Sequence, residues 1–96
     1  MRITLKDLES KIDYLNKITG NPIKTYLPNK NGGLVSQPGN YYLDMAYGGH
    51  KLVQVVNEGG GITEPLNTGF TTKKELWFAI DNFMRGLEIR TEVKNG

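Results

Sequence analysis

Apolar residues recur at three- and four-residue steps in two stretches of the chain, one towards each end. The first stretch contains Leu5, Leu8, Ile12, Leu15 and Ile18, and the second contains Leu76, Trp77, Ile80, Phe83, Met84 and Leu87. This spacing predicts two amphipathic helices, each with one face for packing. Thr4 and Thr72 are each followed three residues later by an acid, Asp7 or Glu75, which is typical of a capping box. Gly20 predicts the end of the first helix.

Residues 40–61, between the two helical stretches, have the pattern of a β-hairpin. Two runs rich in Tyr, Leu, Met and Val meet at Gly48-Gly49, which favours a two-residue turn because glycine accepts positive φ. The resulting pairs are Tyr41–Val56, Tyr42–Val55, Leu43–Gln54, Asp44–Val53, Met45–Leu52, Ala46–Lys51 and Tyr47–His50. One face is then mostly apolar. The other is mixed, with Asp44 diagonal to Lys51 and within reach of a charge contact.

The remaining segments complete a small sheet. Residues 62–66 predict a third, short strand, which Pro65 places at a sheet edge. Residues 23–27 could form another short strand, and residues 28–39 are dominated by turn formers and predict a long loop. We therefore expect an α+β domain over residues 1–88 in the order α-β-β-β-α, with two helices on one face of a three-stranded antiparallel sheet. Residues 89–96 alternate apolar and polar side chains, which predicts either an added strand or a frayed tail.

Composition limits the number of domains, the class of partner and the cellular location that we expect. Ninety-six residues suffice for one domain, and the formal net charge of +2 is too small to imply nucleic acid by itself. The absence of cysteine excludes disulfides and thiolate chemistry and fits a reducing cytosol. The first ten residues carry acids and lack a long apolar core, so we expect no secretory signal. No apolar run reaches membrane-spanning length. We expect a cytoplasmic protein with no membrane partner.

The residues available for chemistry predict no enzyme, no metal and no cofactor. His50 is the only histidine, so a zinc site would need carboxylates for all its other ligands. No Gly-x-Ser-x-Gly motif marks a nucleophile. The glycine triplet at residues 59–61 lacks the Lys-Ser/Thr pair that follows in a phosphate-binding loop.

Two binding hypotheses remain open. A protein partner, or a second copy of the chain, would contact the mixed face of the hairpin and its tip, through Tyr42, Asp44, Tyr47, His50, Val53 and Val55. That face is more apolar than solvent exposure requires, so an exposed patch would favour protein binding and a covered one would weaken it. Nucleic acid, the alternative, would contact Lys24, Tyr26, Lys30, Lys51, Lys73 and Lys74, with an affinity that falls steeply with salt.

Three segments carry a resemblance to a known group of proteins. They are L-N-K-I-T-G-N-P (residues 15–22), G-N-Y-Y-L-D-M-A-Y-G-G-H-K-L-V-Q-V-V-N-E-G-G-G (residues 39–61) and G-F-T-T-K-K-E-L (residues 69–76). The chain resembles a family of small, functionally uncharacterised proteins of tailed bacteriophages and prophages. The resemblance implies a viral or prophage origin and expression in the bacterial cytoplasm, and it implies no particular activity.

The order of helix, three strands and helix also resembles the double-stranded-RNA-binding domain. In that family lysines at the start of the last helix contact phosphates, and Lys73 and Lys74 occupy the matching position here. The family has a longer connection between its first two strands, with a histidine-bearing motif, whereas this chain has only Gly48-Gly49. The resemblance is therefore topological.

Overall fold

The helices and strands follow the order expected from the sequence, with one additional hairpin. The computed structural model describes the backbone of residues 2–95 and the side chains of residues 2–87. The elements are α1 (Leu5–Thr19), β1 (Tyr26–Pro28), β2 (Leu34–Ser36), β3 (Tyr41–Ala46), β4 (Gly49–Val55), β5 (Ile62–Thr63) and α2 (Lys73–Asn95).

The helix ends are formed by the capping residues that the sequence predicts. The Thr4 hydroxyl accepts a hydrogen bond from the Asp7 amide, and the Asp7 carboxylate accepts one from the Thr4 amide. These bonds lower the pKa of Asp7. Gly20 ends α1 with a φ of 72°, a conformation that glycine adopts at little cost. Thr72 accepts from the Glu75 amide, but the Glu75 carboxylate accepts from the Thr71 hydroxyl rather than completing the box.

A three-stranded antiparallel sheet in the order β3-β4-β5 carries both helices. Helix α1 packs against β3, α2 packs against β4, and the helices contact each other. The predicted apolar faces supply the centre of the core, where Leu8, Leu15, Leu52, Leu76 and Ile80 are fully buried. The α+β class and the α-β-β-β-α order are thus confirmed. The third strand is shorter than predicted and covers only residues 62–63.

The helices are also joined by a polar contact. Lys11 Nζ lies 2.8 Å from Asp81 Oδ1 and 3.6 Å from the centroid of the Trp77 ring, so one ammonium contacts a carboxylate and an aromatic face. Arg85 Nε lies 3.0 Å from Asp81 Oδ2. The hydrogen bond from Lys11 is the main reason that the pKa of Asp81 is lowered.

Residues 26–36 form a second hairpin: β1 overlaps the short strand expected over residues 23–27, but β2 lies within residues 28–39, so the prediction of a long loop there was wrong. Strands β1 and β2 pair antiparallel, with Leu27 opposite Val35. Asn29 Oδ1 accepts from the amides of Asn31 and Gly33, and the Asn29 amide donates to the Gly33 carbonyl. The turn formers thus close a tight connection between two short strands rather than leaving an irregular segment.

The predicted tail is helical, since α2 continues through Asn95. The added strand suggested by alternation over residues 89–96 is therefore not formed over residues 89–95. Extending an existing helix by a residue fixes little new backbone for each hydrogen bond gained, so a weak alternation does not stop a well-packed helix. Neither α1 nor α2, within residues 2–95, combines the length and apolar character that crossing a bilayer requires.

The hairpin of β3 and β4 forms, but its turn lies one residue earlier than predicted. Ala46 is opposite Gly49, so the two central turn residues are Tyr47 and Gly48, with φ of 54° and 74°. Every cross-strand pair shifts by two residues: Leu43 faces Leu52, and Asp44 directly faces Lys51. Because the shift is even, each side chain stays on the face assigned to it from the sequence.

Candidate functional site

The most exposed large apolar side chain in the described chain lies at the hairpin turn. Tyr47 is 95% exposed, and its backbone has a positive φ that residues with a side chain rarely adopt. Its ring contacts that of Phe70 edge to face, with centroids 5.8 Å apart. We call Tyr47 and Phe70 together the aromatic tip.

The segment containing Phe70 is fixed to the hairpin through its backbone. His50 and Thr71 exchange two amide-to-carbonyl hydrogen bonds, each of 2.8 Å. A Cβ built on Gly49 would lie 2.9 Å from Phe70 Cβ and 3.2 Å from the Thr71 amide nitrogen. Only glycine permits this approach without displacing the neighbouring chain. The aromatic tip therefore stands on two backbone segments that hold each other in place.

Lys51 lies beneath the tip and is held by two partners. Its Nζ is 3.9 Å from Glu64 Oε2 and 4.5 Å from the centroid of the Phe70 ring. The predicted charge contact with Asp44 is replaced by these partners, although Asp44 lies directly opposite on β3. The Lys51 ammonium thus makes a cation–π contact with the Phe70 ring.

The mixed hairpin face is covered rather than free. Val53 and Val55, two of the residues assigned to a protein partner, are only 1% and 2% exposed. Tyr42 and Asp44 are half-buried. Burial raises the pKa of Tyr42, and Tyr26 adds to the increase. The Gly39 amide also donates to the Val55 carbonyl. Because a covered patch weakens the case for protein binding, the mixed face is a poorer candidate for the partner-binding surface than the aromatic tip.

The remaining residues of the protein-partner hypothesis occupy the tip end of the hairpin. His50 is half-buried opposite Met45, which is 54% exposed. The Nδ1 atom of His50 is buried and has no hydrogen-bond partner among the described backbone and the side chains of residues 2–87. Tyr47, with Met45 beside it, therefore supplies most of the accessible apolar surface at this end.

The residues of the nucleic-acid hypothesis are distributed over separate elements. Lys24, Tyr26 and Lys30 belong to the first hairpin and its approach, and Lys73 and Lys74 begin α2; all five are exposed. Lys51 belongs to β4 and is occupied by Glu64 and Phe70. The structure does not join these residues through any contact that would define one basic surface within residues 2–95.

The described residues provide no grouping typical of a metal site. No three of the His, Asp and Glu side chains within residues 2–87 come together in a way that could hold an ion. A surface groove of about 460 Å³ lies between the N-terminal segment, α1 and α2 and is lined by Arg2, Lys11 and Trp77 among others. Its Lys11 is already ion-paired with Asp81.

Phe70 and Met45 were not assigned to a site from the sequence. Met45 was placed on the apolar face of the hairpin, where burial was expected. Phe70 lies in a segment of turn formers between Gly69 and Thr71. A large aromatic residue in such a segment is the one sequence signal that could have drawn attention to it.

Comparisons with known proteins do not extend this description. The chain matches no protein-family model, no curated protein and no solved structure.

Proposed function

We propose that this protein is a small, non-enzymatic accessory protein of a phage or prophage that binds a host or phage protein in the bacterial cytoplasm. Inhibition of a host enzyme or defence system is the role that best fits a small binding module of that origin. The single observation that carries the proposal is the aromatic tip.

Tyr47 supports protein binding because the fold itself gains little from it. At a turn that needs two positive φ values, Asn or Gly is the favoured first residue. Tyrosine here is strained and almost fully exposed. Strained residues concentrate at functional sites, and tyrosine is enriched among the residues that dominate protein–protein affinity. The edge-to-face contact with the Phe70 ring limits the freedom that the Tyr47 side chain would lose on binding.

The test compares capture from bacterial lysate by the tagged protein and by two variants. Tyr47→Asn removes the ring while suiting the turn. Tyr14→Asn removes another exposed tyrosine, on α1, and serves as the matched control. We expect discrete proteins to be retained by the wild type and by Tyr14→Asn and lost with Tyr47→Asn. Equal capture by all three would contradict a role for the tip.

The same capture, run with and without nuclease and at low and moderate salt, addresses the alternative partner. Protein binding through an aromatic anchor should survive both treatments, whereas phosphate contacts weaken as salt rises. Loss of the captured material to nuclease or salt would favour nucleic acid, and Lys73 and Lys74 would then be the first residues to replace. Recovery of the bait alone, with a size above one chain in solution, would indicate self-association.

A further inference from the structure

Strand β3 is an edge strand whose outward backbone groups are identified by the hairpin register. In an antiparallel pair, alternate residues direct both N–H and C=O towards the neighbouring strand. The Val55 amide donates to the Asn40 carbonyl, so even-numbered residues of β3 face β4. Tyr41, Leu43 and Met45 consequently direct their backbone groups away from the sheet.

The first of these residues already has a partner that imitates a strand. The Asn16 side-chain amide accepts from the Tyr41 N–H at 2.8 Å and donates to the Tyr41 C=O at 2.9 Å. Asn16 is fully buried in α1, so this end of the edge is closed.

The next two residues are open. No backbone group among residues 2–95 and no side chain among residues 2–87 makes a hydrogen bond to the outward N–H and C=O of Leu43 and Met45. We call these four groups the open edge. Only Ala46 separates Met45 from Tyr47, so the open edge and the aromatic tip are neighbours along the chain. Unpaired strand edges bind extended peptides through main-chain hydrogen bonds.

A groove of about 280 Å³ lies at the closed end of the edge, between β3 and α1. Ile12, Ile23 and Leu43 give it apolar walls, and its charged lining residues are Glu9 and Asp13. A peptide added to β3 would direct alternate side chains towards this groove. The two carboxylates favour lysine or arginine in that peptide over acidic residues.

The charges also argue against a second copy of the chain as the occupant. Strand β3 reads Y-Y-L-D-M-A and contains one acid and no base. A second copy of β3 in the added-strand position would bring Asp44 and no base to a groove whose charged residues are Glu9 and Asp13. A segment from a different protein avoids that repulsion.

We propose that the open edge of β3 binds an extended, basic segment of a protein partner by taking it up as an added strand. This inference rests on the proposed function and specifies how the partner is recognised: main-chain hydrogen bonds to Leu43 and Met45, acidic selection by Glu9 and Asp13, and an aromatic contact at Tyr47.

The test uses a defined probe, a peptide of about eight residues, longer than an average strand, in which lysine and valine alternate. Binding is followed by NMR through the amide shifts and hydrogen exchange of Leu43 and Met45. We expect both amides to shift and their exchange to slow. A peptide with glutamate in place of lysine should lose affinity by about tenfold or more, because its charges would repel Glu9 and Asp13. If the amide signals of Leu43 and Met45 do not change at a basic-peptide concentration of about 1 mM, which would reveal even a weak complex, the proposal is overturned.

Backbone methylation separates strand addition from simple charge attraction. One peptide is N-methylated on its lysines and another on its valines, so that each keeps its charges. An added strand bonds to the edge only through alternate residues, so only one of the two peptides should lose affinity, by about tenfold or more. Equal binding of both methylated peptides and the parent would refute the added strand.

A matched pair of variants tests the same point on the protein. Met45→Pro removes the outward N–H at a position where an edge strand tolerates proline, and Met45→Ala removes the same side chain but keeps the N–H. We expect the peptide to be lost with proline and retained with alanine. If the proline variant does not fold, the methylated peptides carry the test. If the peptide does not bind but Tyr47-dependent capture from lysate persists, only the proposal of strand addition is rejected. If capture fails, the proposed function is rejected, and the peptide titration still tests whether the open edge binds an added strand.

Discussion

Replacing Tyr47 by Asn should make the protein more stable, although it removes an aromatic side chain. A residue with a Cβ in the left-handed region is penalised by about 1 kcal/mol, and Asn adopts that region more readily than Tyr. The ring contact with Phe70 opposes this gain, because edge-to-face pairs contribute at least about 0.5 kcal/mol. With Tyr47 95% exposed, the low end of that range applies. The net expectation is a gain of about 0.5 kcal/mol in the free energy of unfolding.

Thermal and urea unfolding of three variants separate the two contributions. Tyr47→Phe keeps the ring and the strain and should match the wild type. Tyr47→Ala keeps the strain and loses the ring, so it should be less stable by about 0.5 kcal/mol. Tyr47→Asn should exceed Tyr47→Ala by about 1 kcal/mol, a difference of about 4–8 °C in Tm for a domain of this size. An Asn variant no more stable than the Ala variant would refute the assignment of strain to Tyr47.

Four further substitutions probe contacts that define the fold. Asn16→Ala leaves the Tyr41 N–H and C=O without partners and should lower the free energy of unfolding by about 3 kcal/mol, measured by urea denaturation. Gly49→Ala should be destabilising by about 1–3 kcal/mol because its Cβ would meet a neighbouring backbone. Gly86→Ala, in α2 with open space around it, should instead stabilise by about 0.5–1 kcal/mol. Asp81→Asn should lower stability by about 1 kcal/mol at neutral pH. Because the folded-state pKa of Asp81 is lowered, that difference should vanish as pH falls through it, and identical pH profiles would contradict the ion pair.

The helices and their ends were predictable because their signals are local. Thr4, Asp7 and Gly20 form the caps of α1 through contacts within a few residues, and the apolar spacing of Leu8 and Leu15 alone specifies the buried face. The faces of the hairpin were likewise predictable, because period-two alternation depends only on parity.

The turn register was not predictable from local preference. Gly48-Gly49 is the better turn pair in isolation, yet Gly49 is required elsewhere, where Phe70 and Thr71 approach its backbone. The positive φ then falls on Tyr47. The burial of Val53 and Val55 also depends on tertiary packing, which strand alternation does not reveal. The first hairpin was missed because its strands of three residues each gave little periodic signal. The aromatic tip and the open edge both follow from these long-range contacts.

The shape of the sheet also limits how far strand addition can spread. Fibril growth requires that each added chain present a second usable edge to the next one. Here the opposite side of the sheet ends in β5, two residues long and followed by Pro65, which offers too few backbone groups to template another strand. Asn16 shortens the β3 edge from the other end. The sheet thus has one edge, β3, that can accept an extended peptide, and its other edge, β5, cannot accept a second one. The molecule can therefore terminate a growing sheet but not propagate it.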